Sequence, residues 1–441
     1  MDSYAEALAY LNRRVDYEKV RPVKFDPRNL NLARIEDLLA RLGHPHTQYP
    51  VIHVAGTNGK GSVCALLDSM ARAAGVRTGL YTSPHFHTLR ERIRINGASI
   101  TRQDFVTRLN ALIPHIEEDS ELTWFEIVTA LGLLHFALEK VQLAVIEVGA
   151  GGRVDATNVV TPWVSVITTL SMDHMAWFGN SLDQIATEKA GIIKPNVPVV
   201  SAPQKTAALT VLETIAHERH APLTVIGRDV PYQSISSTLN GQEFQIAPEA
   251  QPPYALPLLG EHQIINAATA ITALRVAQPR GLPINDAAIR AGLLNVQWPG
   301  RLEILAREPL LVVDGAHNSH SAQRLAAALR DVFQHDRWTL VIGISADKDA
   351  AAILDALLPI AARVIVTRAR NVRAAEVDTL SQRVADRGVE PTPANDVAAA
   401  LDIALTDRFP IIITGSLYTV ADARMAWFKR SGAELPETDD Q

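Results

Sequence analysis

Within ten residues, His53-Val54-Ala55-Gly56-Thr57-Asn58-Gly59-Lys60-Gly61-Ser62, the chain gathers three glycines, one lysine and one serine. This combination suits phosphate. Glycines let backbone N–H groups approach an anion, and a following helix N-terminus adds positive potential. Lys60 would neutralise phosphate charge, and Ser62 can reach a phosphate oxygen or a metal. The loop departs from the general G-x-x-x-x-G-K-[ST] pattern. Val54 stands where the first glycine belongs, and Gly61 separates Lys60 from Ser62. A plain connecting turn is the alternative.

Further clusters carry chemistry. Ser83-Pro84-His85 presents a hydroxyl at the start of a loop, ahead of Arg90, Arg92 and Arg94. Glu147 closes an apolar run and precedes Gly149, Gly151, Gly152, Arg153 and Asp155. A carboxylate there suits a hard cation such as Mg²⁺. In Met172-Asp173-His174, a ring nitrogen of His174 can hold a metal while Asp173 orients it or caps a helix; a structural histidine is the alternative. Lys189, beside Glu188, either faces solvent or points into an anion site. Asp314-Gly315-Ala316-His317-Asn318 offers groups for ribose, phosphate or an amino-acid carboxylate. Arg301 can grip phosphate bidentately, and Asn266 reads a base edge or caps a helix.

The elements that position these residues alternate. Val51–Ala55 is a mostly apolar strand, followed by a helix with Val63, Leu66, Leu67, Met70 and Ala74 on one face. Strands are predicted at 143–146, 163–169, 197–201 and 223–226, with helices at 127–140 and 260–278. Residues 234–246 read as a hairpin around Asn240-Gly241. After Gln297-Trp298-Pro299-Gly300 the alternation restarts. Strands are expected at 310–313, 339–342, 364–367 and 411–414, and helices at 321–332, 350–358, 377–385 and 397–405. This is α/β architecture in two parts, and the first three clusters fall where strand patterns end, the usual ligand edge of such sheets.

The 441 residues carry a net charge of −6, with scattered cations, so nucleic acid is not an expected partner. The apolar runs are too short to span a bilayer and no signal peptide is evident, so a cytoplasmic protein without membrane attachment is expected. A single cysteine, Cys64, excludes an internal disulfide framework. Packing is its expected role, with an active-site thiol as the alternative.

GTNGKGS, TSPH, EVGxGGRxDATN, MDH, EKAGIIK, GEHQxxNA, PGR and DGAHN occur in this order over residues 56–318, and GSLY follows at 415–418. Together they resemble the folylpolyglutamate synthase / dihydrofolate synthase family of the Mur ligase superfamily. The resemblance implies an α/β, Mur-ligase-like P-loop ATPase domain followed by a smaller Rossmann-like domain. Residues 1–296 would bind ATP and pteroate or folate, 297–430 would form the ligase domain, and 431–441 would be a disordered tail. It implies an ATP-dependent carboxylate–amine ligase that adds L-glutamate to dihydropteroate or reduced folates through an acyl phosphate, within folate biosynthesis and one-carbon metabolism. Asn58, Gly59, Lys60, Gly61 and Ser62 would hold the ATP phosphates. Ser83, Glu147 and His174 would ligate Mg²⁺, and a carbamylated Lys189 would help hold a second Mg²⁺. Asn266, Arg301 and Asp314 would contact ATP from the other side. His317 and Ser416 would lie by the incoming glutamate, and Phe125 and Asp155 by the pteroate. Lys60, Lys189 and His317 would be catalytic, in a monomer. The segment 23–30, Ala150, Phe178 and Ser319 depart from common family residues. Another Mur-type amino-acid ligase is the nearest alternative.

Overall fold

The computed structural model describes residues 1–17, 31–118, 121–173, 175–246 and 252–439. Eight strands form the first sheet: β1 (Val51–Ala55), β2 (Thr78–Tyr81), β3 (Ile93–Ile95), β4 (Ala98–Ser99), β5 (Leu143–Glu147), β6 (Val164–Ile167), β7 (Val199–Ser201) and β8 (Leu223–Val225). Their order is β4-β3-β2-β5-β1-β6-β7-β8. β2, β5, β1, β6, β7 and β8 run parallel, and β3 and β4 add an antiparallel edge. All five residues of β1 and of β5 are buried. Burial on both faces explains their largely apolar character, interrupted by His53 in β1 and closed by Glu147 in β5.

The helix Lys60–Ala73 packs on this sheet and against Glu261–Ala277 and Asp286–Leu294. Val63, Leu66, Leu67 and Met70 join its core, as does Cys64. Burial raises the Cys64 thiol well above its ordinary range, which matches packing rather than reactivity. The expected hairpin is present as β9 (Tyr232–Thr238) and β10 (Gly241–Ile246), joined by β11 (Tyr254–Leu256) into a small antiparallel sheet.

The third sheet holds β12 (Glu303–Arg307), β13 (Leu310–Val313), β14 (Trp338–Ile342), β15 (Ala361–Val366), β16 (Pro391–Pro393) and β17 (Ile411–Thr414), ordered β12-β13-β17-β14-β15-β16. Only β12 is antiparallel to its neighbour. The four strands and four helices expected here are all present, within two residues at each helix end and three at each strand end. The edge strands β12 and β16 and the last helix, Leu417–Ser431, carry too little periodicity to have been read.

The tail, expected to be disordered, makes specific contacts in its described part. Beyond Gly432, residues 433–438 lie outside helix and strand. Glu437 pairs with Arg90 and, at 2.9 Å, with Arg102. Asp439 accepts from the Tyr4 hydroxyl at 2.8 Å, from the Thr88 hydroxyl at 2.6 Å and from Leu89 N–H at 2.9 Å. The acidic composition that suggested a free end is matched by cations and donors over three hundred residues away. Among the described residues, no helix is long and apolar enough to cross a membrane.

Candidate active site

The carboxyl ends of β1, β5 and β6 face the loops that follow β13, β14 and β17, enclosing a cleft of about 340 Å³. Every candidate residue among the described ones lines it: Asn58, Gly59, Lys60, Gly61, Ser62, Ser83, Phe125, Glu147, Asp155, Lys189, Asn266, Arg301, Asp314, His317 and Ser416. His174 and the segment 23–30 lie outside the described residues.

The loop between β1 and its helix is tied down from both sides. Thr57 N–H and Asn58 N–H both donate to Thr169 O, and the Thr57 hydroxyl donates to Ser171 O. Gly59 turns the chain into the helix with φ of +91°, a conformation costly for other residues. A Cβ there would also meet Asn266 Oδ1 at 2.4 Å. At Gly61 a Cβ would meet the Trp298 ring at 2.9 Å, so the loop lies directly on the segment joining the two sheets. These contacts explain why glycine occupies both positions.

Glu147 is buried at the end of β5, and its Oε2 accepts from Ser83 N–H at 3.0 Å. Burial raises its pKa, opposed first by Lys60 and also by Arg301 and Arg92. A buried carboxylate lining the cleft beside a serine hydroxyl is an oxygen donor set that fits a hard divalent cation. Among the described residues no group of three or more His, Cys, Asp or Glu forms a metal cluster; His174 is not among them.

Lys189 projects from the helix Leu182–Ala190 and donates to Gly56 O at 2.9 Å. Burial, then the charge of Lys60, lowers its ammonium to about 7. The solvated-face alternative is thus excluded, since Lys189 is only 5% exposed.

On the opposite wall, Asp314 accepts from Leu302 N–H and Ala316 N–H, both at 2.9 Å. Burial raises its pKa, and Arg301 opposes that shift. His317 Nδ1 lies 2.8 Å from Gly315 O; a carbonyl only accepts, so Nδ1 carries the proton. Burial, then Lys348, holds this imidazole neutral, down to about 4. Ser416 caps the helix Leu417–Ser431, its hydroxyl accepting from Thr419 N–H.

The walls also touch. Asn318 Nδ2 donates to Asn58 Oδ1 at 3.0 Å and to Asp173 Oδ2 at 3.2 Å, and Lys348 Nζ donates to Asp173 Oδ1 at 2.6 Å. Lys348, Arg324, Arg373, Tyr17 and Trp177 line the cleft unforeseen. Lys348 follows β14, so the strand-end rule that found Glu147 would have found it too.

The match to known families is extensive. The Mur ligase middle domain model matches residues 54–274 and the Mur ligase glutamate ligase domain model matches residues 300–417. The dihydrofolate synthase/folylpolyglutamate synthase of Bacillus subtilis is 34% identical over 442 residues, covering 96% of this chain and 98% of that protein. This chain belongs to that family of Mur ligases. It is an ATP-dependent ligase that joins glutamate to folate-type acids. The folylpolyglutamate synthase of Mycobacterium tuberculosis, solved with ADP and AMPPCP, superposes with a TM-score of 0.86 at 32% identity, over 98% of both chains. The bifunctional synthase of Yersinia pestis, solved with AMPPNP and an Mn ion, gives 0.83 at 31% identity, over 96% of this chain and 98% of that one.

Proposed function

We propose that this ligase works on dihydropteroate, reduced folates or both, through an acyl-phosphate intermediate. One observation carries the reading: a phosphate loop with Lys60, the buried Glu147 and Lys189 stand on one wall, and Arg301, Asp314, His317 and Ser416 stand opposite. In this reading Asn58, Gly59, Lys60, Gly61 and Ser62 hold the ATP phosphates, with Asn266, Arg301 and Asp314 on the rest of the nucleotide. Phe125 and the Asp155 loop seat the pteroate, and His317 with Ser416 receive glutamate. Mg²⁺ is the divalent ion we assign, with Ser83, Glu147 and His174 as its ligands and a carbamylated Lys189 serving a second ion. Bound there, it neutralises phosphate charge.

The chemistry follows from charge. A carboxylate is a poor acyl donor. Its oxygen attacks the γ-phosphorus of ATP, the bond to ADP breaks, and an acyl phosphate forms; Lys60 stabilises charge on the transferring group. The neutral amine of glutamate attacks the acyl carbon, and inorganic phosphate leaves as the amide forms. The amine gives up one proton. Contacts such as Asn58–Asn318 and Asp173–Lys348 hold the walls together, and closing the cleft further would keep water from the acyl phosphate.

We place the division into two domains at residues 296–297. We also propose a cytoplasmic monomer as the working unit. The test is a substrate panel of dihydropteroate and tetrahydrofolate, each with ATP, Mg²⁺ and glutamate. Release of ADP that requires both the pterin acid and glutamate is expected. ADP release indifferent to either would refute the reading.

A further inference from the structure

His53 lies in the middle of β1, fully buried, and takes no part in the chemistry above. A buried polar ring needs a hydrogen-bond partner. Its Nε2 is 2.9 Å from the hydroxyl of Thr157. That hydroxyl donates to Asp155 Oδ1 at 2.5 Å, because a carboxylate can only accept. The hydroxyl's proton is therefore committed to Asp155, and its lone pair accepts from His53. Geometry thus fixes the ring as the Nε2–H tautomer. The other nitrogen, Nδ1, is buried with no hydrogen-bond partner among the described residues, as a proton-free ring atom would be in a largely apolar strand.

The Asp155 carboxylate also accepts from Thr157 N–H at 3.0 Å, from Ala150 N–H at 2.8 Å and from Gly149 N–H. Four donors meet one carboxylate. Asp155 is thus a knot that ties the 149–157 loop, and its oxygens are already engaged by the protein. A Cβ on Gly149 would lie 2.4 Å from Phe125 Cζ, so the ring rests directly on this loop. Loop and ring together line the cleft.

We infer that His53 is a positioning residue, holding the Thr157 proton on Asp155 and so setting the 149–157 loop and the seat of Phe125 for the pteroate part of the substrate. The inference rests on the proposed substrate, and it assigns His53 no contact with any reactant.

Side-chain geometry supplies the test. A glutamine amide reaches where His Nε2 stands; an asparagine amide reaches only to Nδ1. In full-length protein, His53→Leu, His53→Asn and Thr157→Val are expected to raise KM for dihydropteroate or tetrahydrofolate about tenfold, the order set by losing one buried hydrogen bond. KM for ATP stays within about twofold, as does the pterin KM of His53→Gln and Thr157→Ser. The double variant His53→Leu/Thr157→Val is no worse than either single, because both break one chain. Nitrogen-15 NMR of the resting wild type shows the Nε2–H tautomer. Equal rises in both KM values, an equally impaired His53→Gln, or an Nδ1–H tautomer would overturn the inference. If His53→Leu does not fold, Thr157→Val decides. If the wild type adds glutamate to no pterin acid, the substrate reading fails, and the tautomer still decides the hydrogen-bond chain.

Discussion

Lys189→Ala probes the least ordinary side chain in the cleft. Folding lowers its ammonium from 10.5 to about 7, chiefly by burial. At pH 7 an ordinary lysine holds roughly one amine in three thousand neutral, whereas Lys189 holds roughly half. A carbamate forms only from the neutral amine: nitrogen bonds to the carbon of CO₂ and releases one proton. The cleft thus raises the reactive population by on the order of a thousandfold. A carbamate keeps one N–H, so the bond to Gly56 O survives. Its new negative charge faces Lys60, whose positive charge already disfavours the ammonium. Lys189→Ala is expected to lose activity by about a hundredfold or more. Acetate or propionate at high concentration should restore part of it by supplying the missing carboxylate. In the wild type, ¹³C-bicarbonate should give a carbamate carbon signal that the variant lacks. Full turnover in CO₂-free buffer, together with an unmodified amine in crystals grown with bicarbonate, ATP and Mg²⁺, would refute the reasoning.

Three further outcomes are expected. Lys60→Ala should cut ADP release by about a hundredfold or more while the melting curve stays put; near-normal turnover would remove Lys60 from phosphoryl transfer. Glu147→Gln should shift the Mg²⁺ titration of activity to higher metal, and an unmoved titration would place the metal elsewhere. His262 and His317 titrate near 4 in the folded state, against an ordinary 6.5. Through these two rings the folded chain binds fewer protons than the unfolded one across that window, so their contribution to stability rises with pH from about 4 to 6.5 and levels off above it. His317→Gln should flatten the slope of urea midpoint against pH, and an unchanged slope would show that the ring is already charged when folded.

The chemistry of this chain was legible because it is local. Strand, glycine loop and helix are contiguous at 51–73, and carboxylates and hydroxyls at strand ends declare themselves by position. The apolar runs 143–146 and 310–313 became buried parallel strands because both faces of each sheet are covered. What stayed hidden depends on distance. The Asp173–Lys348 pair spans 175 residues, and no periodicity announces it. Glu437 and Asp439 looked like a solvated end because their partners, Arg90, Arg102 and Tyr4, lie at the other end of the sequence. No spacing reveals either that four protein donors converge on Asp155.

The bond from the Tyr4 hydroxyl to Asp439 brings the first helix and the last residues described into contact. Neighbouring ends suit the chain to circular permutation. A short peptide joining the existing ends, with new ends opened at the hairpin turn, where Asn240 is exposed and Leu239 half-buried, would leave the two large sheets uncut. The joined chain would also differ mechanically. The native walls share one covalent crossing, at 297–300, and a hydrogen-bonded strap; the permuted chain would have two covalent crossings. A cleft hinged on one side would become a cleft hinged on both, and the rate at which products escape it would report how far the walls must part.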